Sequence, residues 1–227
     1  MKKYILRIMI GLCIVAMTST SFAQTFTVKG GLNLSSMSIK DDDETYSDNF
    51  EMKPGFHLGG LVGIPINDMF SVEGGMFLSM KGFNASDEGS FLGYNYDSDA
   101  NLELYYLDIP ITAKISAGTD ELKIWGAAGP YIGIGIAGTK NGSFSFEGIT
   151  GSSSEDVEWG SDDGSDLQQI DVGYTIGAGV EMGALLIGLS YNQSISNNAS
   201  NTDNGMTVKN GVIALSVGII LGDNDSD

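Results

Sequence analysis

Ile170-Asp171-Val172-Gly173-Tyr174-Thr175-Ile176-Gly177-Ala178-Gly179-Val180-Glu181-Met182 alternates without a slip. Ile170, Val172, Tyr174, Ile176, Ala178, Val180 and Met182 share one face. Asp171, Gly173, Thr175, Gly177, Gly179 and Glu181 share the other. Successive strand residues point to opposite sides, so this period predicts an extended strand with one apolar and one small, polar side. A soluble strand turns its polar side to water. A transmembrane barrel strand turns it into the lumen and shows lipid its aliphatic side.

Seven further segments repeat the pattern, giving predicted strands at about 25–37, 54–66, 69–82, 102–116, 121–136, 168–182, 185–196 and 209–221. In the first, Phe26, Val28, Leu32 and Leu34 oppose Thr27, Lys29, Gly31 and Asn33. In the fifth, Ile124, Ile132, Ile134 and Ile136 oppose Lys123, Trp125, Tyr131 and Gly133. The seventh is less clean, because Leu186 falls on its polar side. Pro65, Pro110 and Pro130 are blemishes, since proline cannot donate to a ladder. Short turns at 67–68, 117–120 and 183–184 alternate with predicted long loops near 38–53, 83–101, 137–167 and 197–208. Short periplasmic turns and long extracellular loops are the barrel arrangement. The expected fold is all-β, an eight-stranded antiparallel up-and-down transmembrane barrel over 24–222.

The N-terminus carries Lys2, Lys3 and Arg7, an apolar run from Ile8 to Met17, and Ser21-Phe22-Ala23. This reads as a secretory signal peptide over 1–23. The run is shorter than the roughly 18 residues a transmembrane helix needs. Cleavage removes Cys13 and leaves no thiol or disulfide chemistry. It also leaves eight lysines against 29 acids, a net charge of −21. That balance excludes nucleic acid as a partner, because phosphate backbones need clustered cations. Residues 223–227 form an acidic tail.

The polar faces carry Lys29, Lys81, Lys114 and Lys123, and also Glu73, Asp108, Asp171 and Glu181. An eight-stranded barrel is just wide enough for side chains to fill, so these eight are predicted to pair as a lumenal charge network. Such a plug argues against an open pore. His57, the only histidine, is placed in the lumen, where it is a candidate general base for a barrel-embedded enzyme; no serine motif lies nearby. Asp41, Asp42 and Asp43 in one loop and Asp162, Asp163 and Asp166 in another are candidate cation ligands, because hard cations take carboxylate oxygens. The Asp162–Asp166 run lacks the twelve-residue spacing with a closing Glu. Solvated loops that keep the exterior soluble are the simpler reading. The loop aromatics Phe91, Tyr94, Tyr96, Phe144, Phe146 and Trp159 are candidate partner contacts or an interfacial girdle. No metal set and no cofactor motif is present; Gly129-Pro130-Tyr131-Ile132-Gly133-Ile134-Gly135 lacks the nucleotide fingerprint.

Tyr106-Leu107-Asp108-Ile109-Pro110-Ile111, Ala128-Gly129-Pro130-Tyr131, Asp171-Val172-Gly173-Tyr174 and the opening Lys29-Gly30-Gly31-Leu32-Asn33-Leu34-Ser35 resemble the PorT-like outer-membrane β-barrel family of Bacteroidetes. The resemblance covers the mature chain. It implies a small eight-stranded, OmpA-like barrel, with one branch linked to secretion and gliding machinery. Two features depart from the pattern: the end is Leu221-Gly222-Asp223-Asn224-Asp225-Ser226-Asp227 rather than an aromatic residue, and the mature chain has no arginine. The leading expectation is a non-catalytic structural or interaction role through acidic extracellular loops. Its partners would be outer-membrane lipid and lipopolysaccharide, the outer-membrane assembly machinery and an envelope protein. The alternatives are a secreted lipocalin-like carrier of an apolar ligand, with faces reversed, and a lipid-modifying enzyme using His57.

Overall fold

The computed structural model describes residues 24–91, 94–119, 121–162 and 164–222. The expected signal peptide (1–23) and acidic tail (223–227) lie outside them. Nine strands follow in order: β1 Thr25–Lys40, β2 Phe50–Pro65, β3 Phe70–Phe91, β4 Tyr94–Gly118, β5 Lys123–Phe146, β6 Ile149–Asp156, β7 Ile170–Met182, β8 Leu185–Ser194 and β9 Thr207–Leu221. Every pairing is antiparallel. The order β4-β3-β2-β1-β9-β8-β7-β5, completed by β4 against β5, closes a ring of eight. β1 meets β9 from Phe26↔Leu221 to Lys40↔Thr207 and seals the circle. β6 stands outside the ring and pairs only with β5.

The tight turns, the start of β1 and the end of β9 mark one rim, called here the turn end. The other rim is the hairpin end. Two segments expected as loops are largely strand: 83–91 and 94–101 belong to β3 and β4, and 137–156 to the β5–β6 hairpin. The cause is visible in Ser143-Phe144-Ser145-Phe146, which alternates like any strand, and in Glu147-Gly148, both at positive φ (51° and 82°), which form the two-residue turn that matches strand twist. β4 has 25 residues. At about 3.3 Å each and a tilt of about 40°, such a strand climbs about 60 Å, twice a hydrocarbon layer of about 30 Å. The expected loop 38–53 is also shorter, because β1 runs to Lys40 and β2 starts at Phe50. Pro54 lies where the β2–β3 register shifts between Met52 and His57.

The two faces divide as the alternation predicts. Leu32, Leu58, Ile111, Ile124, Ile176 and Leu189 are exposed on the outside, Leu32 at 68%. Asn33, Ser35, Lys81, Asp171 and Asn210 are buried inside at 1% or less. Soluble monomers rarely expose an apolar patch above a few hundred Å², so a continuous aliphatic belt needs lipid to cover it. Among the described residues no helix is long and apolar enough to cross a membrane; the strands bear the belt.

Candidate functional site

The lumen is filled in layers. Nearest the turn end, Lys114 Nζ lies 2.9 Å from Glu73 Oε1 and 2.5 Å from Glu181 Oε1. Lys123 stands at the register position opposite Glu181. Nearer the hairpin end, Lys81 Nζ lies 2.8 Å from Asp108 Oδ1 and 3.3 Å from Asp171 Oδ2. Asp171 also accepts from Tyr131 Oη and Asn210 Nδ2, both at 3.2 Å, and from Ser196 Oγ at 3.4 Å. The rings of Tyr106 and Tyr131 flank the Lys81 ammonium at 4.4 and 4.9 Å. Six of the eight network residues thus meet in two triplets, each a lysine between two carboxylates. Lys29 joins neither; its ammonium sits 5.1 Å above the Phe77 ring.

Between the triplets lies a cavity of about 90 Å³, room for several waters on the scale of one per 10–15 Å³. Lys29, His57, Phe77, Trp125, Leu186 and Ser216 are among its walls. Leu186, the residue out of pattern in the sequence, fills lumen here. His57 is held on both ring nitrogens, Nδ1 at 2.8 Å from Asn33 Oδ1 and Nε2 at 2.9 Å from Ser216 Oγ. Asn33 Nδ2 donates to Phe56 O, Ser79 Oγ and Met80 O, at 3.0 to 3.1 Å. That turns its Oδ1 toward His57, so Nδ1 carries the hydrogen and Ser216 donates to Nε2. The Ser–His–Asn order has relay polarity, but a triplet lies on either side of the cavity that it faces.

Above the Lys81 triplet an apolar cork closes the hairpin end. Met37, Leu104, Tyr106, Val157, Leu167, Ala199 and Val208 form one buried cluster. Val157 and Leu167 come from the segment between β6 and β7, and Ala199 from that between β8 and β9. Trp159 packs edge-on to Tyr106 at 5.4 Å and covers Gly135, where any Cβ would collide with its ring. Lys140 holds the segment down through Asp166 at 2.7 Å. Burial alone would raise the Asp166 carboxyl, but the Lys140 ammonium and the Glu158 N–H hold it below the usual range.

Sequence reading missed three parts of this interior. Lys53 pairs with Glu103 at 3.5 Å, yet 53 fell inside an expected loop. The neutral donors around Asp171 look like ordinary lumenal polar residues. The cork comes from isolated apolar residues in polar segments, which leave no period. The loop acids find local partners. Asp41 accepts from Tyr46 Oη at 2.6 Å and from the backbone N–H groups of Glu44 and Asp43 at 2.7 and 2.9 Å; the Tyr46 bond, then those amides, hold its pKa down. Asp163 lies outside the described residues. Among the described residues no three His, Cys, Asp or Glu gather as metal ligands, so Asp41, Asp42, Asp43, Asp162 and Asp166 are not brought together.

A closed ring with an aliphatic outside and a charged inside defines a small integral outer-membrane barrel protein. A family model described as "Outer membrane protein beta-barrel domain" matches residues 22–200, and the chain belongs to that family. No curated protein matches the sequence. Among solved structures it is similar to Ail, the attachment invasion locus protein of Yersinia pestis, crystallised with the heparin analogue sucrose octasulfate (17% identity, 88% of this chain and 100% of that one, TM-score 0.37). It is also similar to Neisserial surface protein A (13%, 86% and 96%, 0.41). AlkL, determined in DMPC lipid bilayers, is similar too (11%, 92% and 96%, 0.34).

Proposed function

We propose that this chain is a closed, non-conducting and non-catalytic outer-membrane barrel that acts through its acidic hairpin end, turned to the cell exterior. The observation that carries the reading is the stack of lumenal layers: two lysine–carboxylate triplets and an apolar cork fill the cross-section. A filled lumen suits anchoring and display rather than passage. The tight turns and both termini would then face the periplasm, with 1–23 removed on export. The motif resemblance supports placing the chain among PorT-like barrels, in a structural or accessory envelope role. A lipocalin-like carrier would require the opposite faces, apolar within and polar without. A hydrolase working through Ser216 and His57 would require a route for substrate past a triplet.

Conductance in planar bilayers tests the reading. Purified protein should insert without giving a stable ohmic channel; a steady large conductance would overturn it.

A further inference from the structure

We propose that the β5–β6 hairpin is a docking edge that takes up a cationic, extended polypeptide as an added strand beside β6. The inference rests on the interaction role proposed above and names its partner chemistry.

β6 ends the sheet, and nothing among the described residues pairs with its outer side. The Glu147-Gly148 turn closes on the pair Phe146↔Ile149. In a two-residue hairpin the closing pair exchanges both backbone bonds, and bonded and non-bonded pairs then alternate. Ile149, Gly151, Ser153 and Glu155 therefore spend their backbone groups on β5. Thr150, Ser152 and Ser154 turn theirs outward, free for another strand. Most exposed edges are guarded by lysine, proline, a bulge or a covering loop. Ile149–Asp156 has no lysine and no proline, and its register against β5 has no bulge.

One side of this hairpin is also apolar. Phe144, Phe146, Tyr94 and Ile149 share a face and are exposed at 54%, 39%, 46% and 66%. The Phe144 ring lies across Gly151, directly beside the free edge. Tyr94 and Phe146 are in ring contact at 6.1 Å. Alternate apolar side chains of an added strand would lie against this face, while its main chain pairs with β6.

Charge selects the occupant. Residues 83–101 and 139–156 carry seven carboxylates and one lysine, Lys140, which already serves Glu155 and Asp166. A second copy of this chain would bring the same excess and be repelled, as would lipid phosphates or a polyanion. A segment alternating lysine or arginine with apolar residues satisfies edge, face and charge together.

The test uses the full-length protein in detergent micelles and the octapeptide acetyl-(Lys-Val)4-amide as probe. Controls are a (Glu-Val)4 peptide and a (Lys-Val)4 peptide N-methylated at every backbone amide, which keeps the charge but leaves neither edge able to donate to a ladder. The Lys–Val peptide should bind, weaken with salt, and exceed both controls by at least tenfold. Ser152→Pro, which removes an outward amide without touching the β5 ladder, should lose at least tenfold. Phe144→Ser, which leaves the backbone intact, should lose several-fold. Equal binding of the N-methylated peptide, or no loss in Ser152→Pro, would overturn strand addition while leaving the acidic-surface role standing. No binding of the Lys–Val peptide at all would overturn the docking edge as well.

Discussion

The two lysine triplets share one composition and differ in insulation. In the first, Lys81 and Asp171 are buried to 1% and 0% exposure and only Asp108, at 14%, reaches toward the cavity, while Lys114, Glu73 and Glu181 all retain 9–10%. Around Asp171 the surplus negative charge is spread over hydroxyl and amide donors and over ring faces that embrace Lys81. Around Lys114 stand the two carboxylates and the Trp125 ring at 5.6 Å. Position explains the contrast. Lys81 and Asp171 lie under the cork, so these two charges need partners in the protein. Lys114 is four residues from the end of β4, where the turn end gives access to solvent.

Breaking each triplet at its lysine tests that contrast most strongly. Lys81→Met strands two buried carboxylates and should cost about 3–5 kcal/mol, read as the urea midpoint of unfolding from lipid vesicles. Lys114→Met should cost about 1–3 kcal/mol, because water can reach its carboxylates. Adding Asp108→Asn and Asp171→Asn to Lys81→Met should restore most of the loss. Equal costs for the two lysines would remove the distinction.

The cork gives a middle-sized effect. Gly135→Val places a side chain where Trp159 now lies and should cost about 1–3 kcal/mol through overpacking. In a Trp125→Phe background, which leaves Trp159 as the only tryptophan, its emission should shift to the red. Conductance should stay low, since the Lys81 triplet still fills the lumen below. A channel opened by Gly135→Val alone would make the cork, not the triplet, the seal.

The smallest effect belongs to the Lys140–Asp166 tether, partly exposed and worth about 0–1 kcal/mol. The Asp166 carboxyl is held below its ordinary value, so its contribution is complete above that value and fades as pH falls through the lowered one. In the same Trp125→Phe background, Trp159 emission should be flat from neutral pH down to about 4 and shift only in stronger acid. Asp166→Asn should abolish that step. A transition near neutral pH, unaffected by Asp166→Asn, would place control elsewhere.

How much of this was legible follows from periodicity. Ile170–Met182 and its companions repeat because one face must meet lipid and the other a crowded lumen, and that demand is written into every second residue. Asp171, Glu181, Lys81 and Lys114 could be placed inside on that basis alone. Their partner choice could not, because it depends on strand stagger: Lys81 reaches across to Asp171 on a strand that is far from β3 in the ring. The hairpin extensions resemble loops in the sequence because most of their residues meet water, so serine and aspartate occupy positions where a buried strand would show aliphatic residues. Val157, Leu167 and Ala199 become a core only once two separate connections converge on the hairpin end.

The seam between β1 and β9 has a consequence for the order of assembly. Hairpins such as β7–β8, joined at Gly183-Ala184, bring neighbours together over a few residues, whereas Phe26 and Leu221 stand roughly two hundred residues apart. By loop-closure entropy alone that contact costs about 3 kcal/mol more than a tight hairpin. Zipping can therefore run from neighbour to neighbour around the sheet, but β1 keeps an unsatisfied edge until the last strand arrives. In a bilayer such an edge is intolerable, so insertion of the seam is expected to be a late, cooperative and slow event of folding.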